Sequence, residues 1–168
     1  MLPRVAGVVA AIGVLAAGCG PSGKELARAR NATYTCSYEQ IFKAVVAEVD
    51  DTAPPLGAAD PARGIVISEF RWHSKDGARR TSGSAIVASD DVQFQVTVLL
   101  QKQENGWGVL AEPRVIGQTA GGPRGRKLTR ADGDWPSWAD SKTDAIVYGI
   151  YERLSSCAVA GGANTAGH

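Results

Sequence analysis

Apolar and polar positions alternate most regularly over Val92-Gln93-Phe94-Gln95-Val96-Thr97-Val98-Leu99-Leu100. Val92, Phe94, Val96, Val98 and Leu100 share one face there, and Gln93, Gln95 and Thr97 the other. A period of two predicts a strand with one side on a core and the other toward water or a partner. Asn105-Gly106 is a strong hairpin signal, so Trp107 to Ile116 is predicted to pair back on that strand. Gly64-Ile65-Val66-Ile67-Ser68-Glu69-Phe70-Arg71-Trp72 reads as one further strand, and residues 79–88 as a less apolar one.

Two segments change to the helical period. Ser37-Tyr38-Glu39-Gln40 is a capping-box pattern, followed by Phe42, Val45, Val46 and Val49 on one stripe with Ile41 beside it. Asp50-Asp51-Thr52-Ala53-Pro54-Pro55 ends that helix. A last helix is predicted to begin near Asp140-Ser141, with Ser141 and Asp144 as its capping pair. Its stripe is Ile146, Ile150, Leu154 and Cys157, flanked by Val147 and Tyr151. Residues 117–134, rich in Gly, Pro and Arg, are predicted as a loop. The order helix, meander, helix predicts an α+β two-layer sandwich, an antiparallel sheet with the N-terminal and C-terminal helices on one face.

The chain's 168 residues are 44% apolar and 21% charged, a composition that can bury a core. Eighteen Lys+Arg against 17 Asp+Glu leave a formal charge of +1, so the chain has no global field for gripping a nucleic-acid backbone.

The amino end has a different layout. Met1-Leu2-Pro3-Arg4 is a short basic start, Val5 to Ala17 is an apolar run too short to span a bilayer, and Leu15-Ala16-Ala17-Gly18-Cys19 brings small residues up to a cysteine. This segment resembles the lipobox of bacterial lipoproteins, with Ala16 where the commonest form has Leu and Leu15 one place further back. The resemblance implies removal of residues 1–18 and lipid on Cys19, a diacylglyceryl group with a further fatty acyl chain such as palmitate on the new amino group. Two or more chains anchor stably. An ordinary signal peptide, with Cys19 incidental, is the alternative. Gly20 follows the cysteine where an aspartate retains such proteins at the inner membrane, so the resemblance implies the periplasmic face of the outer membrane.

With Cys19 assigned to lipid, Cys36 and Cys157 remain, and an even remainder in an exported chain predicts a disulfide rather than two buried thiols. The expected organisation is a signal peptide over 1–18, a lipidated tether over 19–31, one domain over 32–157 and a disordered tail over 158–168. Loss of residues 1–18 removes Arg4 and no acid, so 17 basic and 17 acidic side chains remain. The Thr33-Tyr34-Thr35-Cys36 segment, the Phe42/Val45/Val46/Val49 helix and Asp60-Pro61-Ala62-Arg63-Gly64-Ile65-Val66 entering a strand resemble the helix-grip domain of the C lipoprotein of the outer-membrane β-barrel assembly machine. That resemblance implies an accessory scaffold without catalysis.

Candidate chemistry is sparse. GxSxG, Walker, GxGxxG and HExxH patterns are absent, and no Cys/His spacing suits a metal. His73 beside Trp72 reads as a surface or packing residue; a hydrolase would need it in a pocket with a carboxylate and a hydroxyl. Asp132 and Asp134 read as loop residues. Between Arg114 and Arg130 stand five basic residues (Arg114, Arg124, Arg126, Lys127, Arg130) and no acid, a candidate site for anionic lipid or glycan. Trp135 and Trp138 are candidate stacking residues, or anchors for the helix entry.

The expected function is that of a non-enzymatic, membrane-anchored envelope lipoprotein, a binding or scaffold module in the periplasm serving outer-membrane assembly or maintenance. Its partners would be the membrane, through the anchor, and an envelope protein, with no nucleic acid and no cofactor beyond the lipid on Cys19. The alternative is an envelope lipid- or glycan-binding domain using residues 114–130 and the Trp135/Trp138 pair.

Overall fold

A computed structural model describes residues 20–80, 88–119 and 122–160. The chain runs α1 (Gly23–Arg30), β1 (Ala32–Tyr34), α2 (Tyr38–Thr52), β2 (Leu56–Asp60), β3 (Ile65–Ser68), β4 (Arg71–His73), β5 (Val92–Gln103), β6 (Gly106–Thr119), β7 (Gly122–Leu128), α3 (Ser137–Arg153), a 3-10 turn (Ser155–Cys157) and β8 (Ala158–Ala160). The sheet is antiparallel throughout, in the order β2-β3-β5-β6-β1-β8, with β4 also on β5 and β7 also on β6. The α+β class and the single helical layer follow the sequence pattern. Val92, Phe94, Val96, Val98 and Leu100 are buried together with Ile41, Val45 and Val49 of α2 and Ile146 and Ile150 of α3. Each such side chain contributes about 1.5–3 kcal/mol by leaving water.

The β5–β6 hairpin forms where the pattern placed it, but closes on Gln103 and Gly106, so Glu104-Asn105 make the turn and Gly106 already lies in the strand. The helix α2 carries the expected capping box, in which the Gln40 N–H donates to Ser37 Oγ at 3.3 Å and the Ser37 N–H to Gln40 Oε1 at 3.2 Å.

Five boundaries depart from the pattern. The predicted strand over 64–72 is two strands, broken at Glu69-Phe70. Ser68 seals the break by accepting the Val96 N–H on its hydroxyl (3.0 Å) and the Gln95 side-chain amide on its carbonyl (3.0 Å). The predicted loop over 117–134 is largely sheet, since β6 runs on to Thr119 and β7 pairs back on it with Leu128 opposite Val115. Glycine hides the alternation there. A Cβ on Gly125 would overlap the Ile116 side chain, so the residue that erases the apolar pattern is the one that lets the strands close.

The tether expected over 19–31 is a helix from Gly23. Ser22 and Glu25 form a capping box, Ala29 is buried, and Arg30 Nη2 donates to Asp144 of α3 at 2.6 Å. Asp144 therefore does not cap α3, which begins one turn early at Ser137 with no side-chain cap, because Trp138 and Ala139 pack inward. The tail expected over 158–168 starts as β8, with Ala158, Val159 and Ala160 opposite Tyr34, Thr33 and Ala32. Arg79 forms an isolated bridge with His73, while residues 81–87 of the weaker predicted strand and 161–168 of the tail lie outside the described residues. Among the described residues no helix is long and apolar enough to cross a membrane.

Candidate functional site

Cys36 follows β1 and Cys157 ends the 3-10 turn. The two are disulfide-bonded with Cα atoms 5.6 Å apart, and the Thr35 N–H donates to the Cys157 carbonyl at 3.0 Å. The bond joins residues 121 apart, a closure worth about 4–5 kcal/mol on the chain-entropy model. Cys19 lies outside the described residues.

The basic segment is dispersed by the fold. Arg126, on the helix-facing side of β7, is ion-paired with Asp132 and lies 3.7 Å from Asp134. That guanidinium, with the Thr129 backbone and hydroxyl, holds the Asp132 carboxyl down at about 2. Arg130 pairs with Asp140 at 2.8 Å and covers the Trp135 ring, whose Nε1 donates to the same carboxylate at 2.9 Å. Lys127 is exposed on the opposite face of β7, Arg114 covers Phe70, and the Arg124 side chain lies outside the described residues. Trp138 donates to the Lys75 carbonyl at 3.1 Å and packs on His73 and Phe94, with ring centres 4.9 and 5.4 Å away. Both indoles therefore anchor the entry to α3.

A feature without a local sequence signal is a cleft where the sheet splits. β1 meets β6 only at Trp107 and β7 rejoins it only from Val115, so among the described residues no strand covers that side of β6 from Gly108 to Arg114. Leu100 donates to Gly64 and Val96 to Ser68, so even positions of β5 face β3 and odd positions face β6. By the pairing register, Val109 and Ala111 turn their backbone N–H and C=O groups away from β5 into the cleft, while Pro113 ends the row of donors. The cleft has a lobe of about 450 Å³ under α3, flanked by the Arg30–Asp144 and Arg130–Asp140 pairs, and one of about 500 Å³ between β1 and the hairpin. Leu110, 39% exposed, is common to both. A strand edge of this kind can take an extended backbone.

A smaller pocket of about 200 Å³ brings His73 together with Ser68 and Glu69. Their hydrogen bonds run elsewhere. His73 Nδ1 lies 3.0 Å from the Gly77 carbonyl, the Glu69 carboxylate accepts from Arg71 at 2.6 Å, and the Ser68 hydroxyl serves Val96. Burial holds the His73 pKa below its usual value, with Lys142 and Arg79 adding to the effect against the Gly77 contact. Among the described residues no hydroxyl–imidazole or imidazole–carboxylate bond of a nucleophilic relay is formed. The chain matches no protein-family model and no curated protein sequence.

Proposed function

We propose that this chain is a lipid-anchored envelope protein whose domain acts as a non-catalytic binding or scaffold module at the periplasmic face of the outer membrane, in its assembly or maintenance. The observation that carries this reading is the Cys36–Cys157 disulfide. It fits an oxidising compartment and leaves Cys19, directly after the apolar run, as the one remaining cysteine. The helical start at Gly23 sharpens the picture. Only Gly20-Pro21-Ser22 separate Cys19 from α1, a reach of roughly 10 Å, so an anchored domain would rest close to the lipid surface. The open edge of β6 supports the binding role, its exposed backbone suiting an extended segment of a protein partner.

The alternative reading, a lipid or glycan site built from residues 114–130 and the tryptophans, has less support, since Arg126 and Arg130 already hold aspartates and both indoles are engaged internally. Replacing Cys19→Ala tests the anchor. The expected outcome is loss of fatty-acid labelling and release from the membrane fraction; labelling and fractionation equal to those of the parent would overturn it.

A further inference from the structure

The pocket that holds His73 is also where cations outnumber their counter-ions. Arg71 and His73 lie on the helix-facing side of β4, opposite Phe94 and Val92. Arg79 bridges to His73, and Lys142 reaches down from α3 to 5.8 Å above the Phe94 ring. Six segments therefore line one cavity of about 200 Å³: the Thr52–Pro54 end of α2, Ser68-Glu69 at the end of β3, β4, the Arg79 turn, Phe94 of β5 and α3.

Three basic side chains, Arg71, Arg79 and Lys142, face a single carboxylate, Glu69, which is committed to one terminal nitrogen of Arg71. The Arg71 Nε is sealed from solvent with no acceptor. Neither Arg79 nor Lys142 is ion-paired to any described residue, and all the acidic side chains of the chain lie among the described residues. Burial of Lys142, with Arg79 next to it, depresses its affinity for a proton. Packing cations beside one another without an anion is costly, and so is a buried donor left unmade. A bound anion relieves the crowding of the cations, whereas the Arg71 Nε, closed off from the cavity, takes no part.

We propose that this pocket binds a phosphate group, free or as a phosphomonoester, through Arg71, Arg79 and Lys142. The chemistry favours phosphate. Its charge of about −1.5 to −2 at neutral pH matches the surplus of two cations, and its tetrahedral oxygens suit donors arriving from β4, the Arg79 turn and α3 rather than from one plane. The volume admits a headgroup and little else. The site shares no residue with the basic 114–130 segment or with the β6 cleft, and it does not depend on the proposed anchor.

The test uses the full-length protein in neutral detergent, with tryptophan fluorescence, read against a Trp138→Phe control, as the reporter because the Trp138 ring packs on His73. Inorganic phosphate is titrated in one arm, and micelles doped with phosphatidic acid, against undoped micelles, in the other. The expected result is saturable binding in at least one arm, weakened about ten-fold or more by Arg79→Gln or Lys142→Gln, the loss expected for a charge-assisted hydrogen bond. Response to inorganic phosphate assigns a soluble ligand; response to doped micelles alone assigns a lipid headgroup. No response in either arm, or a response unchanged in both variants, overturns the proposal. Arg79 is exposed, so Arg79→Gln keeps the test decisive even if Lys142→Gln unfolds the chain.

Discussion

Glu48 of α2 is packed onto the backbone of Gly149 of α3, so closely that a Cβ on Gly149 would overlap its carboxylate. The carboxylate cannot move aside without loss. Arg153 Nε donates to it at 2.7 Å, Thr52 Oγ1 donates at 2.7 Å, and the side chain is only 10% exposed. The two helices thus cross on one glycine, and Arg153, also paired with Asp51, clamps the crossing.

Gly149→Ala is expected to destabilise the protein by about 1–3 kcal/mol through overpacking, although alanine is the better helix former. In a Glu48→Ala background the obstacle is gone, and the same change is expected to stabilise by up to about 1 kcal/mol. Urea unfolding of the four proteins reads the reversal of sign. A stabilising Gly149→Ala in both backgrounds would show that the carboxylate does not occupy the crossing.

Acid is expected to lower the stability of the domain over two separate pH ranges. His73 has a folded pKa below its ordinary 6.5, mainly through burial, so its contribution is complete above 6.5 and is lost as pH falls through the depressed value. The Asp91 side chain is fully buried and accepts Arg80 at 3.1 and 2.8 Å and the Ala88 N–H at 2.9 Å. The Arg80 hydrogen bonds hold its pKa below 3.8, so its contribution is present above 3.8 and disappears below that value. Urea midpoints measured across this range should fall first below 6.5 and again below 3.8. His73→Leu should flatten the upper step alone and Asp91→Asn should reduce the lower one. An upper slope unchanged in His73→Leu would assign it to another group.

Docking of α1 is expected to depend on Asp144. Asp144→Ala removes the partner of Arg30 and should raise amide exchange across residues 23–30 while leaving α2 and α3 protected. An exposed pair contributes at most about 1 kcal/mol, so global stability should barely change. Hydrogen-exchange mass spectrometry separates the two effects. Unchanged exchange over α1 would place its docking energy in Ala29 instead.

Much of the frame was legible from local pattern. The capping box at Ser37 and Gln40, the Val92 to Leu100 alternation and the stripe of Ile146 and Ile150 each predict both an element and its buried face. The readings that missed have separate causes. In β7 the apolar alternation is replaced by Gly, Pro and Arg, and its pairing rests on backbone hydrogen bonds to β6, which do not depend on apolar side chains. In α1 the Ser22/Glu25 capping box was a readable signal, but eight mostly polar residues present too narrow a stripe to announce a docked helix. The basic segment read as a surplus of charge because Asp132, Asp134 and Asp140, its partners, come just after it in sequence.

The sequence by itself determined the α+β class, the helix-bearing face of the sheet and, through the cysteine count, the Cys36–Cys157 bond, because burial periodicity and cysteine parity are properties of residues in order. Only the tertiary structure decided that β6 keeps an open edge between β1 and β7, that Glu48 lies on Gly149, and that Arg71, Arg79 and Lys142 share one cavity. Charge partners and cavity walls that come together from distant parts of the chain leave no trace in any local window. Their placement is fixed by how the helical layer crosses the sheet.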